Sequence, residues 1–247
     1  MGKLIRRIGV AAALIAAGFM VFVAQATAAT YSNPTPITIP AGAPTTTSGP
    51  ATPYPSQITV SALQGTISKL TVTLSGYSHT VPADVGAVLI APGGQALELM
   101  NCSGGFATAA PINLTFDDMA AMQIAQLPAP VTGTYRPADH CSPTFSYSPP
   151  GPGTAYGNPG PGHGSPPFAT LSSTFNGLDP NGTWKLFVQD FSGGDVGTIS
   201  GGWSLDLTGP TTGQRAAALK KCKKKFKKNH NKKKFKKCKK RANQLPV

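Results

Sequence analysis

Apolar and polar residues alternate with a period of two in several stretches of the middle of the chain. In segments 70–74, 184–188 and 203–207 every second residue is apolar. This alternation, with β-branched and aromatic residues among the apolar positions and clusters of Gly, Pro and Asn between the segments, is typical of half-buried strands joined by turns. The pattern predicts an all-β fold, an antiparallel jelly-roll-like β-sandwich over residues 56–209, with Trp184 and Trp203 in its core.

The first 28 residues have the composition of a secretory signal peptide. Lys3, Arg6 and Arg7 precede an uncharged apolar run over residues 8–23, and an Ala-Thr-Ala sequence ending at Ala28 provides the small residues of a cleavage site. The apolar run is shorter than the roughly 20 residues that a membrane-spanning helix needs, so a cleaved signal is favoured over a membrane anchor. We therefore expect a secreted, extracellular protein that can associate with the cell surface.

Two segments rich in Pro and Gly interrupt the alternation. Residues 29–55 carry no charge and few apolar residues, so we expect an extended linker there. Residues 142–168 form an insertion that is too long for a hairpin turn. Its aromatic residues Phe145, Tyr147 and Tyr156 leave a binding role open, but a mobile surface insertion without a role is the favoured interpretation.

Charge divides the chain into two parts. The overall net charge is +13, but all nine acidic residues lie between Asp84 and Asp206. Residues 29–209 contain three cations and nine acids, a net charge of −6, whereas residues 210–247 contain sixteen cations and no acid. The overall value therefore describes neither part, and the basic tail has to be considered by itself.

The tail, residues 210–247, is lysine-rich and nearly palindromic around His230. Apolar residues and cysteines stand at helical spacing on both sides of that residue: Leu219, Cys222 and Phe226 before it, and Phe235, Cys238 and Ala242 after it. This spacing predicts two short helices joined by a turn. Lysines at this density repel one another, however, so a disordered tail remains the alternative.

The tail's positive charge predicts attachment to anionic surface polymers or lipid head groups, weakened by salt. Sequence-specific nucleic acid binding is not expected, because the protein is exported and no groove-reading element is present. A metal site made of Cys222, His230 and Cys238 is a competing interpretation that lacks a fourth ligand. The expected anion-binding side chains are Lys220, Lys221, Lys223, Lys224, Lys225, Lys227, Lys228, Lys232, Lys233, Lys234, Lys236, Lys237, Lys239, Lys240 and Arg241.

The four cysteines are an even number in a chain expected to be exported, which favours disulfides. Three pairings are possible. Only the pairing of Cys102 with Cys141 and of Cys222 with Cys238 keeps each bridge on one side of the boundary between the central segment and the tail. We therefore expect these two disulfides.

Several motifs in residues 54–208 occur in an order that resembles a known family. Residues 175–184 read Phe-Asn-Gly-Leu-Asp-Pro-Asn-Gly-Thr-Trp, and they are followed by Val-Gln-Asp at 188–190, Gly-Asp-Val-Gly at 194–197 and Gly-Trp-Ser-Leu at 202–205. With these motifs the segment resembles the P domain (P/Homo B domain) of subtilisin-like proprotein convertases and of secreted bacterial proteins. The lysine-rich, cysteine-containing tail resembles those of other exported actinobacterial proteins.

The resemblance implies a jelly-roll β-sandwich, in agreement with the alternation, and it raises calcium as a cofactor. Asp117, Asp118, Asp190 and Asp195 match acidic positions of the family, and carboxylates on glycine-containing loops suit Ca²⁺. Such an ion would tie loops together. The alternative is that these side chains cap turns by accepting hydrogen bonds from backbone N–H groups. The approach to Asp84 lacks the additional Asp residues of many relatives, which weakens an acidic site there.

No catalytic domain and no nucleophile motif such as Gly-x-Ser-x-Gly accompanies the His, Ser and Asp residues, so we do not expect an enzyme. The expected function is that of a secreted, non-catalytic P-domain module held on an anionic cell surface by its basic tail. Two alternatives stay open. The chain is an accessory or stabilising partner of a separate secreted subtilisin-like serine protease, or it is an unrecognised hydrolase.

Overall fold

The computed structural model describes residues 27–63, 65–162, 165–209, 214–229 and 231–243. These residues contain three α-helices, α1 (Leu171–Phe175), α2 (Gln214–Asn229) and α3 (Lys232–Ala242). The strands are β1 (Thr27–Asn33), β2 (Ile37–Ile39), β3 (Gly49–Pro50), β4 (Ser56–Val60), β5 (Lys69–His79), β6 (Val85–Ile90), β7 (Ala96–Asn101), β8 (Ala109–Phe116), β9 (Gly133–Tyr135), β10 (Ala138–Asp139), β11 (Gly182–Asp190), β12 (Gly197–Ile199) and β13 (Trp203–Gly209).

The strands form two sheets, which confirms the all-β sandwich. The first sheet has the order β1-β13-β5-β12-β2, with β8 on the other edge of β5 and β9 beyond it; the second has the order β10-β7-β6-β11-β3, with β4 also paired to β11. The long strands β5 and β11 thus each run through the middle of a sheet. Pairing is antiparallel except for β7 with β10 and β8 with β9, so the expected wholly antiparallel pattern does not hold at these two places.

The core lies between the sheets and follows the predicted alternation. In β13 every second residue is buried, from Trp203 to Gly209. Both tryptophans are almost completely buried, and both indole N–H groups are satisfied, because Trp184 Nε1 donates to Pro180 O and Trp203 Nε1 donates to Ser56 Oγ, each at 2.9 Å. The prediction that these two residues anchor the core is confirmed.

Residues 30–55 are part of the sandwich, so the expected linker is wrong. Strand β1 pairs with β13 along its whole length, from Thr27 opposite Gly209 to Asn33 opposite Trp203. Ile37 and Ile39 in β2 have no exposed surface. Without β1 and β2, strands β13 and β12 would each have an edge with unpaired backbone N–H and C=O groups. Backbone pairing does not require charged or strongly apolar side chains, so this uncharged segment can cover both edges.

The insertion at residues 142–168 packs on the outer face of the second sheet. Strands β6 and β7 are buried on both faces, because Tyr147 from the insertion packs against Val88 and Phe187 on the side away from the core. The approach is close enough that a Cβ at Gly86 would collide with the Tyr147 hydroxyl. The favoured interpretation, a mobile surface insertion, is therefore wrong for the part of this segment that the structure describes, because its aromatic residues bury apolar surface.

The described part of the tail forms two helices, as the spacing predicted. Helices α2 and α3 pack against each other, and the Asn231 side chain caps α3 by accepting a 2.9 Å hydrogen bond from the Lys234 backbone N–H. His230 lies outside the described residues. Among the described helices, none combines the length and apolar character required to cross a membrane.

Most of the predicted signal peptide, residues 1–26, lies outside the described residues. Strand β1 begins at Thr27, so cleavage after Ala28 would leave Ala29 to Asn33 paired with β13. The hydroxyl of Thr30 donates to the Asp206 carboxylate, and Tyr31 Oη donates to Ser61 O at 3.1 Å. The segment that follows the predicted cleavage point is thus held on the sandwich.

Candidate functional site

Both predicted disulfides are present. Cys102, just after β7, is bonded to Cys141 at the start of the insertion, and Cys222 in α2 is bonded to Cys238 in α3. Each bridge thus stays within one part of the chain, as expected. Two disulfides are typical of a protein in an oxidising compartment.

The four carboxylates of the expected calcium site lie at two ends of the sandwich. Asp117 accepts a 2.7 Å hydrogen bond from Lys69 Nζ, at the start of β5, whereas Asp190 faces His79 at the end of β5. The strand has 11 residues, which separates its two ends by roughly 30 Å. A single ion therefore cannot be bound by carboxylates from both groups.

Each of the four carboxylates accepts hydrogen bonds from protein donors, which is what the turn-capping alternative predicted for most of them. Asp118 accepts from the backbone N–H groups of Leu171 and Ser172 at the start of α1. The other acceptors and their donors are Asp117 with Met119 N–H, Asp190 with Ser192 N–H, and Asp195 with Thr80 Oγ1. Within the described residues no group of three or more His, Cys, Asp or Glu side chains is arranged to hold a metal ion.

His79 and Asp190 form a buried pair that links the two sheets. His79 Nε2 lies 3.2 Å from Asp190 Oδ2, and neither side chain has exposed surface. The other ring nitrogen, Nδ1, lies 2.8 Å from Val81 O. Burial, followed by the charges of Asp190 and Asp84, raises the pKa of the neighbouring Tyr77 hydroxyl well above its usual value. The pair therefore lies inside the sandwich and is sealed from solvent.

A second buried polar cluster fastens the insertion to the second sheet. Glu98, in the middle of β7, has no exposed surface, and its Oε1 accepts hydrogen bonds from Ala87 N–H at 3.1 Å and from Tyr147 Oη at 2.5 Å. Burial raises the pKa of Glu98 well above its usual value. Burial, and then the nearby Glu98 carboxylate, raises the pKa of Tyr147 in the same way.

Asp139 holds two points of the chain near this cluster, Cys141 just before the insertion and Asn158 within it. Its Oδ1 accepts from Cys141 N–H at 2.9 Å and its Oδ2 accepts from Asn158 Nδ2 at 3.1 Å. None of the residues of this cluster was expected from the sequence to form a site. A signal was present, because Glu98 is the chain's single glutamate and stands between Leu97 and Leu99 in an apolar strand.

The tail hairpin, formed by α2 and α3, presents a dense set of exposed cations around a small apolar seam. The rings of Phe226 and Phe235 stack with centroids 4.7 Å apart, next to the disulfide. The ion pairs found among the described residues are Lys69–Asp117 and His79–Asp190, and neither involves the tail. The exposed tail cations are Lys220, Lys221, Lys223, Lys224, Lys225, Lys227, Lys232, Lys233, Lys234, Lys236, Lys237, Lys239, Lys240 and Arg241.

The competing metal site of Cys222, His230 and Cys238 is excluded by the same hairpin. Both cysteines are bonded to each other, so neither sulfur is available as a thiolate ligand.

No family model matches this chain, and no curated protein or solved structure matches it either. The P-domain resemblance therefore rests on the ordered motifs of the sequence.

Proposed function

We propose that this chain is an exported, non-catalytic, P-domain-like β-sandwich that its C-terminal hairpin holds on an anionic cell surface. The observation that carries the proposal is the hairpin itself, which exposes fourteen Lys and Arg side chains, with no acidic residue anywhere in residues 210–247. Its target is the anionic polymers or lipid head groups of that surface.

Lysine is the cation that suits such a target. Its ammonium is a compact, strongly hydrated point charge on a flexible stem, whereas arginine favours fixed bidentate geometry. Thirteen exposed lysines and Arg241 on two helices create a strong local potential that attracts any dense anion. The attraction is screened over about 8 Å at physiological ionic strength, so attachment is reversible by salt.

The disulfide supports the same function. Lysines on α2 and α3 repel one another, and the hairpin offers only a small seam around Phe226 and Phe235 to oppose this repulsion. The Cys222–Cys238 bond keeps the two helices together and so concentrates the charge on one compact unit. A bond of this kind persists in an oxidising compartment, which agrees with export.

The non-catalytic part of the proposal rests on the buried His79–Asp190 pair. Among the described residues this is the ion pair in which a histidine faces a carboxylate. It has no exposed surface that a substrate could contact. We therefore propose that the sandwich is a non-catalytic scaffold.

The proposal is tested by retention on vesicles containing phosphatidylglycerol and on purified anionic wall polymer, compared with neutral vesicles. The seven lysines of α3 are replaced by glutamine in one variant and by arginine in its matched control. Both replacements keep helix propensity, but only the glutamine variant loses charge. We expect salt-sensitive retention of the wild type and the arginine control and weaker retention of the glutamine variant. Equal retention of all three at low salt would overturn the proposal.

A further inference from the structure

A cavity of about 460 Å³ opens at the end of the sandwich where β5 ends. Five chain segments contribute to it, including the turn before β6, the loop after β7, the insertion and the residues after β11. Its volume falls within the roughly 300–1,000 Å³ of typical small-molecule sites. Its lining includes Asp84, Phe106, Leu127, Phe145 and Phe191.

The walls of this cavity are aromatic. The rings of Phe145 and Phe191 lie 4.8 Å apart with their planes tilted by 52°. Phe191 is held from behind by Tyr147, whose ring lies 5.2 Å away. At the mouth, Phe106 is 75% exposed and Leu127 is 61% exposed. Large apolar side chains left in water beside a cavity are typical of binding sites.

One carboxylate, Asp84, gives the cavity its charge. Asp84 is partly buried, and in the part of the chain that the structure describes no hydrogen bond or ion pair within 4 Å engages its side chain. Burial, and then the charges of Asp190 and Asp195, raise its pKa, while the nearby His79 acts in the opposite direction. Among the residues that line the cavity Asp84 is the one with a charged side chain, so the cavity is negative when Asp84 is ionised. None of the sandwich cations Lys69, Arg136 and Lys185 lines it.

Aromatic rings beside an unpaired carboxylate are complementary to one ligand chemistry. The faces of the rings attract a cation through their quadrupole and also cover the alkyl groups that surround it. The carboxylate supplies the opposite charge, while an anion would be repelled and a neutral apolar molecule would leave Asp84 without a partner. We propose that this cavity binds an organic ammonium ion, an ammonium group carried on a small apolar body.

The site does not depend on the proposed surface attachment. Strand β13 leads into the tail at Gly209, and Thr208 lies opposite Lys69 at the start of β5, which is the far end of the sandwich from Asp84. Loss of tail binding and loss of ammonium binding are therefore separable outcomes.

The test uses ¹⁵N-labelled full-length protein titrated with choline, a trimethylammonium alcohol, and with 3,3-dimethylbutanol, its neutral isostere. We expect saturable shifts of the amides of Gly105, Phe106 and Ser192 with choline, and at least about tenfold weaker binding of the neutral isostere. Binding should also weaken in acid as Asp84 is protonated.

Two variants locate the site. Asp84→Asn removes the charge and Phe106→Ala removes an exposed wall, and each should weaken choline binding by about tenfold. Asp179→Asn removes the same charge from a fully exposed position and should leave binding unchanged. Equal binding of choline and its neutral isostere, an unaffected Asp84→Asn variant, or shifts confined to other parts of the protein would each overturn the proposal.

Discussion

The hydroxyl of Tyr147 donates a 2.5 Å hydrogen bond to Glu98 Oε1, and neither side chain has more than 1% of its surface exposed. Tyr147 belongs to the insertion and Glu98 to β7, so this bond joins the outer layer to the second sheet. A buried carboxylate is costly without partners, and the insertion supplies one of the two that Glu98 Oε1 has. The insertion therefore contributes to the stability of the sandwich as well as to its surface.

Replacing Tyr147 by Phe removes this hydrogen bond and leaves the ring in place. We expect the free energy of unfolding to fall by about 1–3 kcal/mol, because a buried acceptor loses its partner. Chemical denaturation followed by tryptophan fluorescence measures the change. The matched control is Tyr135→Phe, which removes an exposed bond to Val131 O and should cost about 0.5 kcal/mol or less. Equal effects of the two variants would contradict the prediction.

Glu98 should make stability depend on pH. Its pKa is raised in the folded protein, so the folded state holds the proton more tightly than the unfolded state does. The contribution is fully present below the unfolded pKa of 4.5 and is lost as pH rises toward the folded value. Glu98→Gln cannot lose a proton. The wild type should therefore lose stability relative to this variant as the pH rises above about 4.5. Parallel curves would contradict the prediction.

Ile39 tests whether the segment before residue 56 belongs to the fold. Its side chain is fully buried in the core, so Ile39→Ala should lower the free energy of unfolding by about 2–5 kcal/mol. The neighbouring Thr38 is partly exposed, and Thr38→Ala serves as the control with a much smaller effect. If both variants unfold like the wild type, the segment is a linker after all.

Removing the tail disulfide should unfold the hairpin and leave the sandwich unchanged. The Cys222–Cys238 bond spans 16 residues, and closing such a loop offsets about 3 kcal/mol of chain entropy. In Cys222→Ser/Cys238→Ser we expect lower helical circular dichroism but unchanged unfolding by tryptophan fluorescence, because both tryptophans lie in the sandwich. The converse pair, Cys102→Ser/Cys141→Ser, should change the fluorescence transition and keep the helical signal.

The parts of the fold that were predictable are those with one face in water. In β13 the buried residues Trp203, Leu205 and Leu207 alternate with partly exposed ones, so period two is visible in the sequence. Strands β6 and β7 are buried on both faces, and the layer that covers them comes from a distant segment. Its aromatic residues look like loop residues in the sequence, because the partners of Tyr147 in the second sheet are about 40–60 positions away along the chain.

The candidate sites were predictable where local spacing decided them. The helical repeat around Cys222 and Cys238 requires only contacts within the tail, and the structure confirms both the helices and the bond. Whether the four expected calcium ligands come together depends instead on the end of β5 at which each loop lies. Asp117 follows β8 and Asp190 is the last residue of β11, but strand order in the sheets places them far apart. A single sequence does not contain that information.

The pairing of β1 with β13 places the beginning of β1 and the end of β13 at the same end of the sandwich. Thr27 lies opposite Gly209, so the strand that starts the sandwich and the strand that leads into the tail meet at one end. The Asp84 cavity opens at the other end, roughly 30 Å away along β5. A protein attached through residues beyond Gly209 would therefore carry this cavity at the end of the sandwich remote from the strand that leads to the attachment.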